Sequence, residues 1–251
     1  FEMNWEYDDA LKTADRHVFF KYMVKSIAEL HGYRATFMPK PFPHLTGNGC
    51  HMHVSLWDAD GQRNLFLDGN NDPLGLSPLA YHFLGGILHS AEELCALFNP
   101  TVNSYKRINA PVTLSGATWS PNTVTYAGNN RTHMIRVPEA GRFELRLMDG
   151  SVNPYLGQAA VLAAGLDGIQ HQRDPGEPLH INMYEEGHKI ESAKRLPATL
   201  LDALRLLDGC EVLRGALGEE LVNAFLRLKM KEWHNYTAHF SDWEREHTLD
   251  C

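Results

Sequence analysis

Between Asp8 and His31 the apolar residues Leu11, Ala14, Val18, Tyr22, Ile27 and Leu30 fall roughly on one stripe of a helix, and Gly32 stands where a left-handed C-terminal cap belongs. Tyr33 to Met38 reads as a short strand that Pro39, Pro41 and Pro43 end. Thr46-Gly47-Asn48-Gly49 is a turn cluster, and His51 to Trp57 then alternates as a strand does. Asp58-Ala59-Asp60-Gly61 turns the chain again. Ser77 followed by Pro78 supplies an N-cap with proline at the first helical position, opening a helix to about Phe98. From Pro100 to Asn130 turn formers are frequent and no helical period is present. That stretch reads as a long loop with one short strand in it, and loops so long inside compact domains are usually functional. Two strands follow, Thr132 to Val137 and Arg142 to Met148. Asn153-Pro154 opens a helix to about Gln170, and two more helices, about Ala198 to Asp208 and Gly218 to Glu246, close the chain. Strands and helices mix without regular βαβ alternation, which predicts an α+β fold with an antiparallel sheet.

Composition narrows the class. A chain of 251 residues that is 43% hydrophobic and 22% charged has enough apolar sequence for a substantial core. No apolar stretch approaches the ~20 residues of a bilayer-spanning helix; the longest apolar-rich helix, Tyr155 to Ile169, is interrupted by Gly157, Gln158, Gly165, Asp167 and Gly168. The first residues, Phe1-Glu2-Met3-Asn4-Trp5-Glu6, are acidic and aromatic, unlike a signal peptide, and with no initiator Met the chain reads as beginning mid-protein. A net charge of -8 disfavours nucleic acid as a partner, so an anionic ligand would need local arginines to overcome the general field. Cys50, Cys95, Cys210 and Cys251 are far apart and form no CxxC pair, which fits reduced thiols in a cytoplasmic protein.

Three clusters carry candidate chemistry. On a strand, residues two apart share a face, so His51, His53 and Ser55 project together beside a glycine turn that lets a ligand approach the backbone. They suit a metal ligand with polar contacts to a substrate, or simply a surface strand with two histidines. By the same alternation Arg142, Glu144 and Arg146 share one face, with Phe143 and Leu145 on the other. A carboxylate between two arginines reads as a buried ion network, as a solvated ladder, or as a cation ligand flanked by phosphate or carboxylate binders. Arg107, Arg131 and Arg136 lie at or near the ends of the long loop, and arginine is the preferred fork for carboxylate and phosphate. There is no Walker phosphate loop, no GxGxxG fingerprint and no HExxH helix, so a bound nucleotide would have its phosphates held by metal and arginine.

These residues belong to longer runs: Ala35-Thr36-Phe37-Met38-Pro39-Lys40-Pro41, Gly49-Cys50-His51-Met52-His53-Val54-Ser55-Leu56, Asn103-Ser104-Tyr105-Lys106-Arg107 and Asn153-Pro154-Tyr155-Leu156. Through them the chain resembles the glutamine synthetase catalytic domain over essentially its whole length, residues 1–251. The resemblance implies a curved antiparallel sheet with flanking helices, without the family's small N-terminal β-grasp domain. It implies a ligase that makes an acyl phosphate on the side chain of glutamate from ATP and lets ammonia or a small amine displace phosphate, with magnesium or manganese in the site. It further implies a cytoplasmic homo-oligomer, of the dodecamer ring type in full-length form, with no nucleic-acid or membrane partner. By resemblance, Glu2 is a carboxylate ligand of the metal beside the amine site, and His51 and Glu144 are ligands of the second metal. Tyr7 matches an aromatic near adenine, and His53 and Ser55 lie along the nucleotide. Gly47, Arg107 and Arg146 hold the amino acid, while Arg131, Arg136 and Arg142 neutralise the transferring phosphate and ADP.

Three departures accompany the resemblance. The strand that supplies most of the family's metal carboxylates, just before Glu2, is absent, so the chain is expected to carry only part of a site. The flap glutamate that follows the arginine matching Arg107 is missing from Ile108-Asn109-Ala110-Pro111, and a longer segment, Val112 to Asn130, follows. Thr46 stands where an asparagine is usual. The run Gly116-Ala117-Thr118-Trp119-Ser120-Pro121-Asn122-Thr123 resembles the type III glutamine synthetases of rhizobia, a branch close to γ-glutamylmethylamide synthetases. A changed flap is where a change of amine is expected, with Trp119 or Tyr126 as an apolar wall for a methyl group. A γ-glutamylpolyamine synthetase and an inactive synthetase-like domain are the rival readings.

Overall fold

A computed structural model describes residues 1–69, 71–111 and 118–251. Gly116 and Ala117, with the rest of 112–117 in the altered loop, lie outside the described residues. Helix α1 (Ala10–Leu30) starts where the Asp9 carboxylate accepts the Lys12 N–H, satisfying one of the free donors of a first turn, and it ends before Gly32 at φ +75°. The expected apolar stripe is not a buried face: Leu11, Val18, Tyr22, Ile27 and Leu30 are exposed, and of its members only Ala14 is buried, with His17 beside it. The segment from Tyr33 to Met38, expected as a strand, has no ladder partner.

The sheet is small. Strand β1 (Met52–Val54) is followed by α2 (Pro78–His89), α3 (Ala91–Phe98) and α4 (Ser104–Ile108), then by β2 (Tyr126–Ala127), β3 (Ile135–Glu139) and β4 (Arg142–Leu145). The spatial order is β1-β4-β3-β2, antiparallel at the first two contacts and parallel between β2 and β3. The α+β class therefore holds, with a mixed sheet where an antiparallel one was expected. Register shifts between Arg136 and Glu139, where Pro138 has no N–H to give the ladder.

One face of the sheet is core. Phe143 of β4 packs its ring 6.1 Å from Phe83 of α2 and 5.7 Å from Phe66, all three fully buried. Behind them α2 crosses α5 (Pro154–Gln170) in backbone contact: a Cβ on Gly86 would lie 2.0 Å from the carbonyl oxygen of Ala164. The remaining elements are α6 (Met183–Glu186), a short 3-10 turn, α7 (Leu200–Asp208), α8 (Glu211–Leu217), α9 (Glu219–Thr237) and α10 (Asp242–Thr248). The helix expected from Ser77 to Phe98 breaks at Ser90. The final expected helix breaks before Ser241, which starts α10 with a reciprocal capping box to Glu244. The other face of the sheet is polar and carries the candidate site.

Candidate active site

Glu144 is the centre of the polar face. On the backbone it lies opposite His53 of β1 and Arg136 of β3, so the pleat brings all three side chains to one side. Arg146, two residues on, places Nη1 2.9 Å from Glu144 Oε1, and Arg136 Nη1 is 2.9 Å from Oε2. His51 Nδ1 lies 3.2 Å from Oε1. Glu144 and Arg146 are 4% and 2% exposed and form a buried ion network with Arg136, while Arg142 turns instead to His53 and the exposed Glu139. Burial by itself raises the Glu144 carboxyl, but the His51 hydrogen bond, the Arg146 charge and the Arg136 contact outweigh it and hold the group well below the carboxylate range.

Both histidines are depressed. Burial is the larger cause for His51, reinforced by the Arg146 and Arg107 charges and opposed by Glu144; for His53 it is burial, then Arg142. A carboxylate only accepts, so His51 presents Nδ1–H to Glu144 and keeps the Nε2 lone pair free. Gly49 leaves that nitrogen room, since a Cβ there would sit 2.9 Å from His51 Nε2 and 3.2 Å from Arg107 Nη2. Arg142 donates to His53 Nδ1 and to Glu139, and Arg136 also clasps Asn129 Oδ1 through Nε and Nη2 at 2.9 and 2.7 Å.

Arg107, on α4, is 2% exposed and donates from Nη1 to the carbonyl of Leu147 at 2.8 Å and from Nη2 to that of Arg146 at 3.2 Å. Gly47 approaches it closely: a Cβ there would meet Pro39 O at 2.6 Å and Arg107 Cγ at 3.1 Å. Burial pulls the Arg107 guanidinium below its ordinary value, with the Asp149 charge opposing. Arg131 stands exposed in the turn before β3. Ser55 accepts from Trp57 Nε1, and the Trp57 ring faces that of Tyr7 in parallel, centroids 6.5 Å apart and planes within 5°. Trp57 and Asn129 had no signal in the sequence, being single residues in the loops that follow β1 and β2. Tyr126 is 3% exposed and donates its hydroxyl to Gly176 O, so it is a packing residue and not a candidate wall. Trp119 remains, 41% exposed at φ +55°.

His51 and Glu144 supply an imidazole and an ionised carboxylate 3.2 Å apart, ligand types that suit a divalent cation; the nitrogen facing the carboxylate is Nδ1, so an ion shared by the two would displace its proton, while Nε2 faces Gly49. Glu2 is not brought to them. It is exposed on the N-terminal segment and accepts from Asn4. Among the described residues no group of three His, Cys, Asp or Glu is arranged to hold an ion.

A family model described as "Glutamine synthetase, catalytic domain" matches residues 1–248. A glutamine synthetase of Rhizobium leguminosarum bv. phaseoli is 64% identical over 250 residues, all of this chain and 57% of that relative. A "Glutamate--methylamine ligase" of Methyloversatilis universalis is 50% identical over 97% of this chain and 55% of its own length. A solved structure described as "GmaS/ADP complex-Conformation 1" superposes with a TM-score of 0.93 at 64% identity, covering 99% of this chain and 57% of that one. The chain thus spans little more than half the length of these relatives.

Proposed function

This chain belongs to the glutamine synthetase family, and from that premise we propose that the whole protein is an ATP-dependent ligase joining the side-chain carboxylate of glutamate to a small amine. The observation that carries the reading is the array on one face of the sheet, with Glu144 held ionised among His51, Arg136 and Arg146. A γ-carboxylate oxygen attacks the γ-phosphorus and the bond to ADP breaks. The amine's free base then attacks the acyl carbon and phosphate leaves. Such transfer needs positioning and charge neutralisation more than covalent help from the protein.

His51 and Glu144 would hold a magnesium or manganese ion, which when bound neutralises phosphate charge. Arg136, Arg142 and Arg131 meet the transferring phosphate and ADP. Arg107 and Arg146 hold the amino acid, with Gly47 leaving its backbone room to approach. Arg146 has a buried Nε without a partner among the described residues, ready for an acceptor. Tyr7, beside Trp57, meets the base, and His53 and Ser55 run along the nucleotide. Because the Arg136 contact should strengthen as phosphate charge develops, Arg136→Ala is expected to lower kcat at least tenfold with little change in glutamate KM. Arg107→Ala is expected to raise that KM with a smaller effect on kcat. Steady-state kinetics of the complete protein check both, and an unchanged kcat removes Arg136 from the site.

Methylamine is the amine we favour. The expected flap carboxylate is missing, and Trp119 is held in the left-handed region, a strained conformation that bulky residues rarely adopt. Burying one methyl group against such a wall gains about 0.8 kcal/mol. The relative named for methylamine supports this choice. The reading carries with it a cytoplasmic homo-oligomer with sites completed between subunits. Exposed Phe19, Tyr22, Phe240 and Trp243 are surfaces suited to such contacts. Among the described residues no helix is long and apolar enough to cross a membrane.

A further inference from the structure

Asn99 and Asp149 are both 0% exposed, and neither belongs to the array around Glu144. Asn99 ends α3, where its backbone N–H returns to Cys95 O. Its side-chain amide nitrogen donates twice, to the Leu147 carbonyl at 3.0 Å and to Asp149 Oδ2 at 3.0 Å. The Leu147 carbonyl is the same oxygen that accepts Arg107 Nη1 at 2.8 Å. Asp149 Oδ1 accepts from the backbone and the hydroxyl of Ser151. The stretch between is tied on its other side to the glycine turn, through Cys50 N to Met148 O, Gly150 N to Asn48 O, and the bridge between Gly49 and Asp149. One short backbone segment therefore sets the position of Arg107 and of the turn that faces it.

Two features argue against simple packing. The Asn99 Oδ1 atom is buried with no hydrogen-bond partner among the described residues, an unfavourable arrangement that an apolar side chain would avoid. Arg107 is a buried cation that donates to two carbonyls, and among the described residues no carboxylate lies within ion-pair distance of it. Asp149 supplies the nearby negative charge without capping the guanidinium, which leaves donors available for an incoming carboxylate.

We propose that Asn99, braced by Asp149, is a positioning residue for the amino-acid substrate: by fixing the Leu147 carbonyl it aims the Arg107 guanidinium. This rests on the reading of Arg107 as the glutamate-binding arginine. None of these residues belongs to the set assigned above to the nucleotide and its phosphates, so the expected effect is on glutamate.

The test is a double-mutant cycle in the complete protein, with Asn99→Ala, Arg107→Lys and the pair, joined to a crystal structure of Asn99→Ala. Expected for Asn99→Ala are a glutamate KM raised about tenfold, kcat and ATP KM within about twofold, and no further rise when the change is made in the Arg107→Lys background. Asn99→Leu keeps much of the volume but loses the donor, and is expected to behave like Asn99→Ala. Equal effects in both backgrounds, or ATP KM and glutamate KM rising together, would overturn the proposal. If the parent protein shows no glutamate-dependent turnover, the functional reading fails and the crystal structure still decides the geometry. An Arg107 guanidinium that has left the Leu147 carbonyl supports the aiming role, and one that has not moved refutes it.

Discussion

His17 is 9% exposed, with the Trp5 ring edge-on at 5.8 Å and Cys50 Sγ 3.9 Å from its Nδ1. Burial, with the charge of Lys21 added, pulls its pKa from 6.5 to about 4. Between those values the unfolded chain binds a proton that the folded chain refuses. The contribution of His17 to stability is therefore full above about pH 6.5 and is lost as pH falls toward 4, on the order of 3 kcal/mol. Urea midpoints of the wild type and His17→Phe, taken between pH 4 and 7, should show a shallower decline in the variant. Parallel curves would mean His17 is not excluding the proton. The same residue scale explains what the sequence revealed of the site. Alternation on strands announced His51, His53, Arg142, Glu144 and Arg146, because a period of two assigns faces without knowledge of the partner strand. Asn129 and Asn99 stayed hidden: each acts on residues seven and 48 positions away through loop geometry that no period records.

Helices α2 and α5 meet where neither has a side chain. A Cβ on Gly86 would lie 2.0 Å from Ala164 O and 2.7 Å from the Gly168 Cα, and backbone cannot give way as a side-chain tip can. Gly86→Ala is expected to cost about 3 kcal/mol, a fall in Tm of roughly 10 °C. Gly215→Ala, in α8 with nothing within 4 Å, should be neutral or raise Tm slightly. Thermal melts of the two variants check this, and similar melts would show that the crossing relaxes. Element boundaries were legible where capping chemistry marks them: Asn153 accepts from Tyr155 N and Leu156 N at the start of α5, and Gly32 closes the end of α1. The five residues of α4 are too short for a helical period, which is why that stretch read as loop. The apolar residues of α1 do not form one buried face: Ala14 is covered while Leu11, Val18, Tyr22, Ile27 and Leu30 are exposed. Periodicity tells which side is apolar and is silent on what covers it.

At the scale of the molecule the sheet divides labour, with phenylalanines on one face and ionised groups on the other. The polar face is incomplete as a metal shell among the described residues, and the chain spans about 57% of its relatives' length, so its chemistry belongs to the complete protein. The most direct measurement is phosphate release by the complete protein from ATP and Mg²⁺, with glutamate and amine each omitted in turn, and ammonia compared with methylamine. Turnover is expected to require both glutamate and amine, with kcat/KM favouring methylamine by no more than tens-fold, the limit of what one methyl contact discriminates. Equal or better kcat/KM with ammonia would return the protein to plain glutamine synthesis. Phosphate release indifferent to glutamate would contradict the ligase reading itself.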